Sequence, residues 1–155
     1  MQNVEKIHLK FCKNILKLRG RTPNFMMYGE LGRIPLETLV KVRTVRFWAR
    51  TMQKEQKLPN LMLRLMVKLH DNNPTKFKKV NYVKSIFDDT GLRYLWNEQV
   101  NVNINWLKVS VKQTLCDQFC QSWFSQMHNA SRGECYSTFK HEFRFEPYLL
   151  RLTPA

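Results

Sequence analysis

The chain has 155 residues and a mass of 18.7 kDa, enough for one domain with a buried core and too little for two enzymatic domains. Hydrophobic residues make up 43% of it and charged residues 25%, which excludes disordered, collagen-like and low-complexity classes. The abnormal quantity is the charge. Lys and Arg number 26 against 12 Asp and Glu, so the net charge of +14 favours a polyanionic partner.

The excess positive charge is confined to one half of the sequence. Residues 1–84 hold 19 basic and 5 acidic residues, whereas residues 85–155 hold 7 of each. A one-sided distribution is a stronger indication of a binding face than the total charge is. We therefore predict a single domain, 1–155, with a strongly basic half at 1–84 and a neutral, aromatic-rich half at 85–155.

Residues 3–19 have the pattern of an amphipathic helix. One face carries apolar residues that we expect to pack on the core: Val4, Ile7, Phe11, Ile15 and Leu18. The opposite face carries a lysine stripe: Lys6, Lys10, Lys13 and Lys17. Thr22 followed by Pro23 predicts the N-cap and first residue of a short helix that Gly32 ends.

A second basic stripe follows on a helix predicted over residues 35–54. Its apolar face carries Val42, Val45, Trp48, Ala49 and Met52, and another face carries Arg43, Arg46, Arg50 and Lys54. Tyr28, Phe47 and Trp48 are aromatic residues near this stripe. Trp48 belongs to the apolar face, so we expect it in the core, and Phe47, beside the arginines, is the better candidate to stack on an unpaired base.

The rest of the chain also favours helices. Residues 58–70 are apolar nearly all round, which predicts a central helix packed on several sides. A helix from about residue 77 to Gly91 begins with Lys76, Lys78 and Lys79, and because cations oppose the dipole there, these lysines indicate a binding role. Residues 92–104 fit a short helix or an irregular connector, and the alternation VNVNI at 100–104 also fits a brief strand; we predict a loop.

The longest predicted helix covers residues 104–128, and its apolar stripe includes Trp106, Leu107, Val109, Val111, Leu115, Phe119, Trp123 and Met127. Ser131 and Glu134 fit a capping box that opens a last helix through about residue 143. The apolar tail, residues 143–155, either packs around the core or continues in a longer natural chain. Together these segments predict an all-α domain of six or seven helices, an irregular orthogonal bundle.

Neither a secretion signal nor a membrane segment is indicated, so we expect an intracellular protein, nuclear or cytoplasmic, without a membrane partner. Cys12, Cys116, Cys120 and Cys135 are then reduced. Cys116 and Cys120, with downstream His128, Cys135 and His141, are nominal zinc ligands. However, their spacing lacks a tight-turn knuckle, and buried free cysteines are the preferred interpretation.

The most tempting catalytic string is Ile86-Phe87-Asp88-Asp89, because polymerases hold two metal ions with paired aspartates. The string lacks the aromatic residue at the required position, it closes an amphipathic helix, and the only earlier aspartate, Asp71, lies in a predicted turn. Phosphate-loop, nucleophile-elbow and zinc-protease motifs are missing from the sequence. We therefore expect no enzyme activity, cofactor, metal or small-molecule substrate.

Several strings occur together in one order: TPNFMMYGELGRIPL at 22–36, VRFWARTM at 45–52, VKSIFDDTGLRYLWNEQ at 83–99, VKQTLCDQFCQSWF at 111–124 and SRGECYSTFK at 131–140. This set resembles the helical region downstream of the polymerase core in reverse transcriptases of LINE-like, non-LTR retrotransposons. The resemblance implies a thumb-like or post-polymerase piece without the catalytic aspartates. One departure is Lys79, where such sequences more often carry tryptophan.

The leading hypothesis is a non-catalytic fragment that binds RNA or DNA through phosphate contacts, without sequence specificity. The predicted contacts are Lys6, Lys10, Lys13, Lys17, Arg43, Arg46, Phe47, Arg50, Lys54, Lys76, Lys78 and Lys79. For the lysine stripe at 6–17, a merely solvated face is an equal alternative. Two other interpretations stay open. One is a helical protein-interaction module whose apolar tail binds the rest of a reverse transcriptase or another partner, and the other is an inactive retroelement remnant.

Overall fold

The fold is all-α, as the sequence predicts. The computed structural model describes residues 2–54, 57–72, 76–98 and 102–152. These contain eight α-helices and one 3₁₀ helix, Pro147–Leu152, with no strand longer than an isolated bridge. The α-helices are α1 Gln2–Ile15, α2 Asn24–Leu31, α3 Leu36–Gln53, α4 Leu58–Asn72, α5 Lys78–Asp89, α6 Arg93–Glu98, α7 Ile104–Asn129 and α8 Gly133–Ser137.

The chain divides into two compact units. Unit 1 consists of Met1–Glu37 with Cys116–Ala155, and unit 2 consists of Thr38–Leu115. Neither border coincides with the change in charge between residues 84 and 85. Counted by unit, unit 2 has 15 basic and 5 acidic residues, net +10, whereas unit 1 has 11 and 7, net +4. Most of the net positive charge therefore belongs to unit 2.

Unit 2 is built around an aromatic core. Trp48 on α3 meets Phe87 of α5 edge-on, with ring centroids 4.9 Å apart, and stacks near Trp96 of α6 at 6.2 Å. The apolar face predicted for α3 is buried, as are Leu107, Val111 and Leu115 from the first half of α7. The helical spacing therefore predicts the buried side of α3 correctly. On α7 the prediction is wrong for Trp106 and Val109, which are 47% and 64% exposed because they lie off the face that carries Leu107, Val111 and Leu115.

Unit 1 holds two neighbouring apolar clusters. Leu9 and Cys12 of α1 pack with Met27 and Tyr28 of α2. The second cluster joins α2, α7 and α8 and consists of Phe25, Trp123, Met127 and Tyr136. The indole N–H of Trp123 donates to the carbonyl oxygen of Phe25 at 2.7 Å, so its polar atom is satisfied within the core.

Two glutamates of unit 1 are tied into hydrogen bonds with tyrosines. The Tyr28 hydroxyl donates to Glu5 Oε1 at 2.5 Å, and the backbone N–H of Leu36 donates to Glu5 Oε2 at 3.0 Å. The Tyr136 hydroxyl donates to Glu30 Oε1 at 2.9 Å, while the Tyr148 hydroxyl donates to Glu30 Oε2. Burial and the bonded carboxylates raise the pKa values of all three phenols above the ordinary range.

The C-terminal end of α2 is as predicted, but its N-terminal cap is not. Gly32 adopts φ 55°, in the left-handed region, and follows the helix directly. A Cβ there would fall 2.3 Å from the backbone nitrogen of Phe145, across the isolated Leu31–Phe145 bridge. At the other end, Pro23 itself occupies the N-cap position without a side-chain bond, so the prediction of Thr22 as cap is wrong.

Two segments late in the chain differ from prediction. Residues 93–98 form α6, not a loop, because Leu95 and Trp96 are buried in the core of unit 2 although six residues are too few to show a helical period. The last helix, α8, ends at Ser137 and has no side-chain cap. Gly133 donates its N–H to the carbonyl of Ala130 at 2.7 Å, and this turn replaces the predicted capping box.

Candidate nucleic-acid interface

Three predicted contact residues share an exposed face of α3. Arg43, Phe47 and Arg50 are spaced four and three residues apart, so they follow one another along the same side of the helix. All three are exposed, and Phe47 keeps 71% of its surface accessible. Trp48, one position further, is buried at 3%. The predicted contrast between an accessible Phe47 and a core Trp48 is confirmed.

The two other members of this basic stripe are placed differently. Arg46 is half-buried, and its Nε atom is shielded from solvent with no hydrogen-bond partner among the described residues. Lys54 is exposed, but it lies just beyond the last residue of α3. Of the predicted basic stripe, only Arg43 and Arg50 therefore lie on the exposed face of α3 with Phe47.

The predicted lysines before and at the start of α5 are exposed. Lys76 precedes the helix, and Lys78 and Lys79 are its first two residues. Lys78 and Lys79 also line a cavity of about 670 Å³ in unit 2. Phe47 and Trp48 of α3 line the same cavity. The fold thus brings together one predicted aromatic contact and two predicted basic contacts that are about thirty residues apart in the sequence.

The walls of this cavity are mostly apolar. Besides α3 and α5, it is lined by α4 residues that include Met62, Leu63 and Met66, and by Trp96. Its volume lies within the range of small-ligand pockets. The hydroxyl of Thr51, one of its few polar side chains, already donates to the carbonyl of Phe47 at 2.9 Å. Charge is therefore supplied to the cavity by Lys78 and Lys79.

The lysine stripe at 6–17 belongs to unit 1, whereas the cavity-lining residues belong to unit 2. Lys6 and Lys10 are exposed on α1. Lys13 donates to the carbonyls of Thr22 at 2.6 Å and Gly20 at 3.2 Å, so its ammonium group holds the loop after the helix. Lys17 lies beyond the end of α1 with φ 50°. Only part of the predicted stripe is therefore a row of exposed helical lysines.

The apolar face predicted to bury α1 is exposed. Val4, Ile7, Phe11 and Ile15 keep 57–70% of their surface accessible, and α1 instead buries Leu9 and Cys12. The contacts of Glu5 with Tyr28 and Leu36 orient the helix with this other side inward. The orientation of α1 thus follows the hydrogen bonds of Glu5 and not the spacing of its apolar residues, and the prediction for this face is wrong.

The apolar character of α4 is also more exposed than predicted. Leu58, Leu61, Leu65 and Leu69 keep 43–70% of their surface accessible, whereas Asn60, Val67 and His70 are buried. The expectation of packing on several sides is therefore wrong. Because apolar residues lie all round this helix, their spacing does not show which side faces outward. The polar residues Asn60 and His70, which are buried, were the available signal.

The groups considered for catalysis or metal binding are dispersed. Asp88 and Asp89 are exposed at the end of α5, where Arg93 and Lys41 approach them at 3.5 Å each. Cys12 is buried, Cys116 and Cys120 are half-buried, and Cys135 is exposed, so the prediction of burial is wrong for Cys135. Burial raises the pKa values of the Cys12 and Cys120 thiols. The described ranges contain no group of three His, Cys, Asp or Glu side chains suited to a metal ion.

No protein-family model, curated protein or solved structure matches this chain. Among the helices in the described ranges, none has both the length and the apolar character needed to cross a membrane.

Proposed function

We propose that unit 2 binds single-stranded nucleic acid, RNA or DNA, without reading its sequence. Arg43, Arg50, Lys78 and Lys79 contact phosphates, and the Phe47 ring stacks on an unpaired base. The observation that carries this proposal is the shared cavity: Phe47 from α3 and Lys78 and Lys79 from α5 line the same concave surface. A single-strand site needs this pairing of cations with an accessible aromatic ring.

The choice of a single strand over a duplex rests on Phe47. Its ring is largely accessible and lies beside an apolar cavity, which suits the face of an unpaired base and offers nothing to bases that are stacked within a duplex. Arg43 and Arg50 are separated by seven residues, or about 10 Å along the helix axis, so they suit different phosphates of one strand. The resemblance to a retrotransposon reverse transcriptase is consistent with a template or target strand as ligand.

Binding of a labelled polypyrimidine RNA strand, measured by fluorescence anisotropy over a range of salt, tests the proposal. Lys78→Gln combined with Lys79→Gln should lower the slope of log K against log salt by about 1.4, because each phosphate contact to a single strand contributes about 0.7. Phe47→Ala should weaken binding about 5- to 100-fold and leave the slope unchanged, since stacking involves no counterion release.

Two matched variants serve as controls. Phe139→Ala removes an equally exposed phenylalanine from unit 1, and Lys6→Gln with Lys10→Gln removes two exposed lysines from α1. Both should bind RNA like the unaltered chain. If the α1 lysines change the salt slope as much as the α5 lysines do, the binding is a general property of a basic protein, as expected for an inactive remnant. An unchanged affinity in Phe47→Ala would exclude the stacking role.

A further inference from the structure

The exposed side of α4 presents a row of four leucines: Leu58, Leu61, Leu65 and Leu69. We call this set the α4 row. Single exposed apolar residues are ordinary on protein surfaces, but a continuous row of large ones indicates an interaction site. Leu58 and Leu69 are eleven residues apart, or about 16 Å along the helix. None of the four leucines is among the residues that line the cavity with Phe47, Lys78 and Lys79.

Hydrogen bonds on the opposite side of α4 hold the row at the surface. The Asn60 amide nitrogen donates to the carbonyls of Met52 at 2.7 Å and Thr51 at 3.1 Å, near the end of α3. Further along, buried His70 pairs with Asn81 of α5. Rotating α4 to bury the leucines would break both connections and leave buried polar groups unsatisfied. The exposure of the row is thus built into the fold of unit 2.

The geometry of the row fits another helix. Together with Met62, which is 55% exposed, its residues fall at positions i, i+3, i+4, i+7 and i+11, the pattern of one apolar helix face. At 3.6 residues per turn the four leucines occupy an arc of about 80°, and Met62 widens it to about 100°, the width of an apolar stripe that packs against another helix.

The charge beside the row defines the partner. Residues 57–70 contain three basic residues, Lys57, Arg64 and Lys68, and no acidic residue. Lys57 and Lys68 are exposed, while the Arg64 Nε donates to Asn60 Oδ1 at 3.0 Å. Two copies packed through the row would bring like charges together, which disfavours a homodimer. We propose that the α4 row binds an amphipathic helix of another protein, with acidic residues flanking its apolar stripe.

A designed peptide provides a defined probe. It carries leucine at heptad positions a and d and glutamate at e and g, and a second peptide carries lysine at e and g instead. With the full chain, the glutamate peptide should bind and the lysine peptide should bind at least tenfold more weakly. Leu61→Ser with Leu65→Ser should reduce the affinity for the glutamate peptide at least tenfold, as measured by isothermal titration calorimetry.

Two controls locate the effect on α4. Phe139→Ser with Leu150→Ser removes similarly exposed residues from unit 1, and Val4→Ser with Ile7→Ser interrupts the exposed apolar stripe on α1. Neither pair should change the peptide affinity. The Leu61→Ser, Leu65→Ser variant should retain its RNA affinity, and Phe47→Ala should retain its peptide affinity, so failure of this proposal and failure of nucleic-acid binding are distinguishable.

Four results would overturn the assignment. The first is no binding of the glutamate peptide, or equal binding of both peptides. The second is an equal loss of affinity from the α1 variant. The third is a dimer, detected by sedimentation, that Leu61→Ser with Leu65→Ser abolishes, because the occupant would then be a second copy. The fourth is binding to vesicles of anionic phospholipid that depends on these leucines.

Discussion

The two units use charged residues in different ways. In unit 1, Glu5 and Glu30 accept hydrogen bonds from tyrosines, and Lys13 donates to two backbone carbonyls. Lys140, only 2% exposed, donates to the carbonyl of Arg144 at 2.9 Å and forms an ion pair with Glu146. In unit 2, Lys78 and Lys79 at the start of α5 and Arg43 and Arg50 on α3 are exposed instead.

The net charge of the chain therefore combines paired and exposed charged groups. A charged group that is buried must be paired, so it contributes to the fold and has little capacity left for a ligand. Exposed basic residues keep their long-range attraction for anions. The basic residues of the proposed nucleic-acid site all belong to unit 2, which carries +10 of the +14 net charge.

The largest expected effect is a difference in stability between two lysine-to-methionine variants, one in each unit. Lys140→Met leaves the partly buried Glu146 carboxylate unpaired, which should destabilise the protein by about 3 kcal/mol. Lys79→Met removes an exposed ammonium and should change stability by less than about 0.5 kcal/mol while weakening RNA binding. Urea denaturation of both variants measures this contrast. Equal destabilisation by the two substitutions would contradict the division of roles.

A smaller loss of stability is expected from crowding near Tyr136, which donates a hydrogen bond to Glu30. A Cβ on Gly29 would lie 2.6 Å from the Tyr136 hydroxyl oxygen and 2.7 Å from Trp123 Cζ2, both closer than contact allows. Gly29→Ala should therefore cost about 1–3 kcal/mol of stability. Gly20→Ala is the control in the same unit, because nothing lies within 4 Å of its added methyl group. A Gly29→Ala protein as stable as the Gly20→Ala protein would show that Tyr136 and Trp123 tolerate displacement.

The smallest effect is a dependence of stability on alkaline pH. Burial and bonded carboxylates raise the pKa values of Tyr28 and Tyr136, so the unfolded chain loses these phenolic protons first. Their contribution is complete below about pH 10, the unfolded value, and is lost as the pH rises towards their folded pKa values. At about pH 10.5, each should cost about 1 kcal/mol.

Denaturation at neutral and alkaline pH checks this expectation. Tyr28→Phe and Tyr136→Phe should each flatten the alkaline loss of stability, because the phenol that responds to pH is gone. Tyr94→Phe removes an exposed tyrosine from unit 2 and is the control. A protein whose stability falls equally steeply in all three variants would not owe its alkaline sensitivity to these phenols.

Much of the fold follows from periodicity. The spacing predicts α3, α5 and α7 within a few residues, and it identifies the core positions Trp48, Phe87 and Trp123, because each of these helices repeats its apolar residues over at least three turns. The short helix α6 has no such repeat. Its existence depends on Leu95 and Trp96 finding a place in a core made by other helices.

The candidate site was predictable in its parts and not in its assembly. The exposure of Phe47 and the basic start of α5 both follow from local sequence. Their meeting at one cavity requires α3, α4 and α5 to pack together, which no local pattern encodes. The prediction that the apolar face of α1 is buried was wrong for a related reason. The hydrogen bonds of Glu5 with Tyr28 and Leu36 connect segments that are distant in sequence.

Helix period and charge are properties of neighbouring residues, so they predict the helical class, the excess of basic residues and which residues of α3 face inward. Which apolar faces are covered depends on how the helices pack. On α1 and α4, half-buried Glu5 and buried Asn60 and His70 form hydrogen bonds with other segments of the chain. The side of each helix that carries these polar groups faces inward, so the apolar rows stay exposed.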